Sequence, residues 1–119
     1  MRLPVLALVL LPSLAAAQDA RAVFEARCAS CHTVDRAAPP GPGPNLAGLI
    51  GRPVGGAEGF DYSPVLAAAR ASGQVWDRAM LERFLEDPEE MYPGLWMGGN
   101  GLRRAADRAA VVEFFASSQ

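Results

Sequence analysis

The chain has 119 residues, with 13 acidic and 11 basic side chains and a net charge of −2, and this length predicts one domain. Every basic residue is an arginine, and the acidic balance argues against a nucleic-acid partner and gives no reason to expect binding to an acidic membrane surface. Alanine, glycine and proline are abundant, so few large side chains remain to fill a core in so small a domain. A large apolar cofactor would fill that space.

Residues 1–17 predict a cleavable secretory signal. Arg2 gives the positive start, residues 3–11 the apolar run and Ala15-Ala16-Ala17 a small-residue cleavage site. The apolar run is too short to span a bilayer core, which needs roughly 20 residues. We therefore expect a mature domain over 18–119 in the periplasm, without stable membrane insertion. An uncleaved N-terminal anchor is the alternative.

The mature chain predicts helices separated by long loops. A first helix is expected from Asp19 to about Ala29, followed by a Gly/Pro-rich stretch over 33–59. Ser63-Pro64 predicts the start of a short helix over 64–71, and Asp77 caps another that ends before Asp87-Pro88.

After a loop over 88–101, a last helix is expected over roughly 103–116. Its inward face is predicted to hold Ala105, Ala109, Val111, Val112 and Phe115. No segment alternates with a period of two over more than a few residues, so no sheet is expected and the fold class is all-α.

The strongest motif is Cys28-Ala29-Ser30-Cys31-His32, which predicts covalent attachment of one haem c. Thiols three residues apart can both add to the vinyl groups of one haem edge, and a histidine directly after them can bind the iron. This is the only histidine of the chain. A disulfide or a redox dithiol is the alternative, whereas two cysteines and one histidine serve a four-ligand zinc site poorly.

A low-spin electron carrier needs a second axial ligand, usually methionine or histidine, and because no second histidine exists the candidates are methionines. Met80 lies on the apolar stripe of a predicted helix, where methionine usually fills the core. Met91 lies in a loop without a shaping turn. Met97 follows Pro93-Gly94, a turn that can direct its sulfur towards a haem, and is the preferred candidate.

Residues 43–52, Gly-Pro-Asn-Leu-Ala-Gly-Leu-Ile-Gly-Arg, together with the haem motif and the Met97 loop, resemble the class I c-type cytochromes, in particular the bacterial relatives of mitochondrial cytochrome c. The resemblance implies the cytochrome c fold, with about four helices and long loops around one haem. It implies that the Pro44 carbonyl accepts a hydrogen bond from His32. It also assigns Arg52, Tyr62 and Trp76 to a haem propionate, and implies that Phe24 packs on the last helix.

The chain also departs from that family's pattern. Phe84 stands where the family commonly has a tyrosine near the methionine sulfur, and Leu66 and Leu95 replace polar residues. Glu89 and Glu90 replace a pair of lysines that dock partners. The reduction potential and the partner surface are therefore expected to differ.

The expected function is transfer of single electrons between redox partner proteins by a soluble periplasmic carrier, and not enzymatic catalysis. Trp96, Met91 and Tyr92 are predicted to form an apolar docking surface with Glu89 and Glu90 at its rim; the alternative is that they pack inward. Two other functions stay open: the electron-accepting cytochrome subunit of a periplasmic dehydrogenase complex, and a ligand-binding haem sensor or enzyme.

Overall fold

A computed structural model of the chain describes residues 1–9 and 14–117. In these ranges the chain forms five helices: α1 (Leu14–Arg27), α2 (Pro64–Ala71), α3 (Arg78–Glu86), α4 (Pro88–Met91) and α5 (Ala105–Ser117). The described residues contain no strand, and their β pairing is an isolated antiparallel bridge between Pro53 and Val75. The predicted all-α class is confirmed.

The predicted signal segment is described only in part. Residues 1–9 are exposed and form no helix, and residues 10–13, in the middle of the segment, lie outside the described residues. Because α1 begins at Leu14, the predicted cleavage point after Ala17 lies within this helix. None of the helices in the described ranges is long and apolar enough to cross a bilayer.

Helices α2, α3 and α4 begin where the sequence provides starting residues. Pro64 occupies the first turn of α2, and the Asp77 carboxylate accepts a 2.7 Å hydrogen bond from the Met80 amide at the start of α3. Both helices have the predicted bounds. The predicted loop over 88–101 instead begins with the single turn of α4, because Asp87 accepts a 3.1 Å hydrogen bond from the Glu90 amide.

The first and last helices pack against each other through aromatic rings. The rings of Phe24 and Phe114 stack with centroids 4.7 Å apart, and Phe115 meets Phe24 edge-on at 5.7 Å. Val111 is completely buried in the same contact region. The expected packing of Phe24 on the last helix is therefore confirmed.

Helix α5 is anchored to α3 by a buried arginine. Arg108 is 9% exposed; its Nε donates to Glu82 at 2.6 Å, and its Nη1 donates to two backbone carbonyls at 2.9 Å. The predicted inward positions of Ala105 and Ala109 are wrong, because both side chains are exposed. Apolar periodicity misses Arg108, which can be buried because its Nε and Nη1 both have hydrogen-bond partners.

Two loop stretches, 51–54 and 74–76, run side by side and are called the loop ladder below. Gly51 donates to the Trp76 carbonyl at 2.7 Å, the Trp76 amide donates to Arg52 at 3.0 Å, and Val54 donates to the Gln74 carbonyl at 2.9 Å. These bonds pair backbone groups of two stretches that belong to no helix. They place Arg52 and Trp76, two of the predicted site residues, next to each other.

Candidate functional site

The cysteine-histidine motif forms a tight turn at the end of α1. The Cys28 amide donates to the Phe24 carbonyl at 2.8 Å, and the Cys31 and His32 amides donate to the Cys28 carbonyl at 3.1 and 2.9 Å. Both cysteines are free thiols; Cys28 is half-buried and Cys31 is exposed. Burial raises the pKa of the Cys28 thiol, and the neighbouring Arg27 partly offsets this. The turn thus presents two thiols and an imidazole within five residues.

His32 is held by the carbonyl that the resemblance indicated. Its Nδ1 lies 2.9 Å from the Pro44 oxygen. Because a carbonyl only accepts, Nδ1 carries the proton and Nε2 keeps a lone pair for a metal. Burial lowers the pKa of His32, and the hydrogen bond to Pro44 raises it. Burial thus favours the neutral ring, which is the form that binds metal.

Gly43 is a site residue that the sequence analysis did not single out. Its amide donates to the Cys31 carbonyl at 2.8 Å, so the backbone lies directly against the histidine. A Cβ at this position would lie 2.5 Å from His32 Cε1 and 2.7 Å from Nδ1. Only glycine fits here without moving the ring. The Gly-Pro pair at 43–44 is the sequence signal that could have identified it.

Arg52 and Ser63 carry buried polar atoms without a partner among the described residues. Arg52 Nη1 donates to the Ala47 carbonyl at 3.0 Å, but its Nε, like Ser63 Oγ, is buried and makes no hydrogen bond. Burial lowers the pKa of Arg52, and the Tyr62 hydroxyl beside it raises this pKa. Tyr62 also accepts a 3.0 Å hydrogen bond from the Ala57 amide. A half-buried cation and buried donors without acceptors suit an anionic group such as a propionate.

The other two predicted residues are Trp76, next to Arg52 in the loop ladder, and Met97. Trp76 is buried, and its ring meets Phe84 edge-on with centroids 5.0 Å apart. Met97 is half-buried against the core, as are Met80 and Met91, so burial does not select among the three methionines. Backbone conformation separates them, because Met80 and Met91 lie in helices whereas Met97 lies in a loop.

The predicted docking residues separate in the structure. Trp96 is 65% exposed, and Met91 is half-buried. Tyr92 is only 6% exposed, so its predicted surface position is wrong. Its ring lies 6.1 Å from that of Phe84, and its hydroxyl donates to Gln74 Oε1.

Comparison with known proteins identifies related chains. The family model described as Cytochrome c matches residues 17–119. Cytochrome c2 iso-1 of Magnetospirillum molischianum is 44% identical over 90 residues, which cover 74% of this chain and 86% of that protein. Cytochrome c2 of Rhodomicrobium vannielii is 40% identical over 91 residues, covering 76% and 70%. Cytochrome c of Stellaria longipes is 38% identical over 96 residues, covering 81% and 86%.

Proposed function

The chain belongs to the cytochrome c family, whose members transfer electrons through one covalently attached haem c, and we propose that it is a periplasmic carrier with His32 and Met97 as axial ligands. In this proposal Cys28 and Cys31 hold the haem through thioether bonds. The bound haem supplies a single iron that accepts and gives up one electron at a time.

The observation that carries the proposal is the geometry of the cysteine-histidine turn. Its thiols are free, and the only imidazole of the chain has one nitrogen bound to Pro44 and the other available. Pro44 fixes the tautomer and the ring orientation, and its carbonyl makes the imidazole a stronger donor towards iron. Gly43 allows this carbonyl segment to approach the ring. These residues together form one half of a haem site.

We propose that Arg52, Tyr62, Ser63 and Trp76 bind the propionate side. The buried Arg52 Nε and Ser63 Oγ would each gain a missing partner from a carboxylate. The arginine also compensates the negative charge inside the protein, where an unpaired carboxylate would be costly. The loop ladder holds Arg52 and Trp76 at a fixed separation through backbone hydrogen bonds. The chain therefore provides a preorganised anion site.

Met97 is supported as the sixth ligand by the backbone around it. Gly94 and Gly98, on either side of it, have φ angles of 88° and 67°, in the left-handed region that favours glycine. The Asn100 side chain donates to the Met97 carbonyl at 2.7 Å. The segment is thus shaped by turns on both sides of the methionine. A thioether ligand raises the reduction potential of haem iron.

Electron exchange is proposed to occur beside Trp96. This ring is 65% exposed and directly precedes Met97. The Glu89 carboxylate lies against Gly98 and Gly99, and among the described residues Glu89 and Glu90 take part in no ion pair. An exposed indole beside unpaired carboxylates fits a partner protein with a basic surface and an apolar recess.

The haem-ligand proposal is tested by absorption spectra of the protein exported in a host that attaches haem. We expect a c-type reduced spectrum and, in the ferric protein, the weak far-red band of iron–methionine ligation. Met97→Ala should abolish the band, whereas Met80→Ala and Met91→Ala, which remove methionines that are also half-buried, should retain it. Retention of the band in Met97→Ala would overturn the assignment, and a high-spin ferric spectrum of the unmodified protein would favour a ligand-binding sensor or enzyme.

The periplasmic location is tested by cell fractionation and by N-terminal sequencing of the purified holoprotein. A periplasmic protein that begins at Gln18 would support the predicted cleavage, and a membrane-bound protein that begins at Met1 would contradict it. The same preparation tests the subunit alternative, which the acidic surface beside Trp96 favours. Co-purification of a larger dehydrogenase at a fixed ratio would replace the proposal of a free carrier.

A further inference from the structure

Tyr92 connects two loop regions that lie far apart in the chain. Its hydroxyl donates to Gln74 Oε1, 18 residues away. The ring is 6% exposed and contacts Phe84, which in turn contacts Trp76. The buried ring and the hydrogen-bonded hydroxyl hold Tyr92 at both ends.

The backbone of Gln74 is firmly held, whereas its side chain, which supplies the acceptor Oε1, lies at an exposed position. Its backbone amide donates to the Ala69 carbonyl near the end of α2 at 3.1 Å. Its backbone carbonyl accepts from the Val54 amide at 2.9 Å. Val54 is completely buried, and the loop ladder fixes the neighbouring Trp76. A hydrogen bond to Gln74 is therefore a bond to the part of the chain that carries Arg52 and Trp76.

Residues 92–102 are called the Met97 segment, and apart from the Tyr92 hydroxyl its residues 92–100 make only local hydrogen bonds in the described part of the chain. Leu95 donates to the Tyr92 carbonyl at 3.1 Å, Gly98 donates to Leu95 at 3.4 Å, and Asn100 donates to Met97. At its C-terminal end, Leu102 donates to the Leu85 carbonyl at 2.6 Å, which closes the segment onto α3. These bonds shape the segment but do not join it to the loop ladder.

We propose that Tyr92 is a positioning residue, which holds the Met97 segment closed by hydrogen-bonding to Gln74. The inference rests on the proposed ligation by Met97. A segment that opens more often releases its sulfur more often, so this hydrogen bond slows loss of the methionine from iron. Phe84 and Leu95, which lie in the same buried layer, have no polar side-chain group that could take over this role.

The test uses the ferric holoprotein and imidazole as the added ligand, since imidazole binds iron only after the methionine leaves. Tyr92→Phe removes the hydroxyl and keeps the ring. We expect imidazole to bind about three- to tenfold faster, the factor that corresponds to the net strength of an ordinary hydrogen bond. Gln74→Leu should give the same increase, and the double variant should be no faster than either single one.

Two variants serve as controls. Gln74→Glu keeps an acceptor for the Tyr92 hydroxyl and should retain slow imidazole binding. If the acceleration in Gln74→Leu came only from altered packing, the two variants would bind imidazole at the same rate. Ser72→Ala removes a nearby hydroxyl that bonds only to the Ala68 carbonyl, at 3.0 Å, and should leave the rate unchanged.

The outcomes separate the two proposals. If Met97→Ala abolishes the far-red band but Tyr92→Phe binds imidazole at the rate of the unmodified protein, the positioning role is refuted and Met97 ligation stands. An equal acceleration in Gln74→Glu and Gln74→Leu would also refute it. If the band survives in Met97→Ala, ligation by Met97 fails, and the role of Tyr92 fails with it.

Discussion

Replacing Gly43 by alanine should disturb His32 more than any other single methyl group added to this loop. The new Cβ would lie 2.5 Å from Cε1, 2.7 Å from Nδ1 and 3.0 Å from the Cys31 carbonyl oxygen. Carbon atoms in contact prefer about 3.5–4.0 Å, so the ring or the backbone must move by about 1 Å. Such a shift takes the 2.9 Å bond to Pro44 outside the usual range of about 2.7–3.2 Å.

The consequence for the haem follows from the direction of that hydrogen bond. Donation from Nδ1 to a carbonyl makes the imidazole more electron-rich, which stabilises ferric iron more than ferrous iron. Loss of the bond should therefore raise the reduction potential. Loss of an outer hydrogen-bond partner typically weakens metal binding by about 10–100-fold. If binding of ferric iron weakens tenfold while binding of ferrous iron is unchanged, the reduction potential rises by about 59 mV.

The potential is measured by spectroelectrochemical titration of the holoprotein, and stability by denaturant unfolding. Overpacking should lower the free energy of unfolding by about 1–3 kcal/mol. Gly41→Ala is the matched control, because a Cβ there lies 3.8 Å from the Cys31 oxygen, an ordinary contact. Equal potentials and equal stabilities of the two variants would refute the proposed role of Gly43.

Further predictions concern packing, docking and pH. Phe24→Ala should lower the free energy of unfolding by about 3–5 kcal/mol in denaturant titrations, because its ring fills the contact with Phe114. In Glu89→Gln, oxidation of the protein by a cationic metal complex should be about twofold slower at low salt, and oxidation by an anionic complex should be no slower. In Trp96→Ala, electron transfer to the natural partner should be slower. Burial raises the pKa of Tyr92, so the unfolded chain releases this proton more easily and stability falls as pH rises above about 10. The window from about pH 9 to 11 brackets the unperturbed tyrosine pKa. Across it, the free energy of unfolding should fall less in Tyr92→Phe than in the unmodified protein.

The sequence predicted those parts of the fold that local signals determine. Helices α2 and α3 have the predicted bounds because Pro64 and Asp77 mark their starts. Asp87-Pro88 carries the same kind of signal, yet α4 was missed because four residues are too short to show a helical period. The first turn of α5 was predicted too early, since its apolar pattern gives the face of the helix better than its first residue.

The candidate site was predicted to the extent that covalent spacing determines it. Cys28, Cys31 and His32 are close in sequence, and the Pro44 contact followed from the resemblance and is present in the structure. Ser63 illustrates what could not be predicted: the sequence marks it only as a helix start, but its hydroxyl makes no capping bond and is buried without a partner among the described residues. Whether a hydroxyl points to its own backbone or into a cavity depends on tertiary packing.

The layer of aromatic rings formed by Trp76, Phe84 and Tyr92 also shows a contact that the sequence could not predict. At Phe84 the chain lacks the hydroxyl that the family commonly has there, so the sequence suggested a region depleted of polar contacts. The structure keeps an aromatic hydroxyl in this layer at Tyr92, where it donates to Gln74. Tyr92 follows a helix of a single turn, so no periodicity indicates which way its ring faces. Because its acceptor is 18 residues away, only the folded chain reveals that this hydroxyl joins the Met97 segment to the loop ladder.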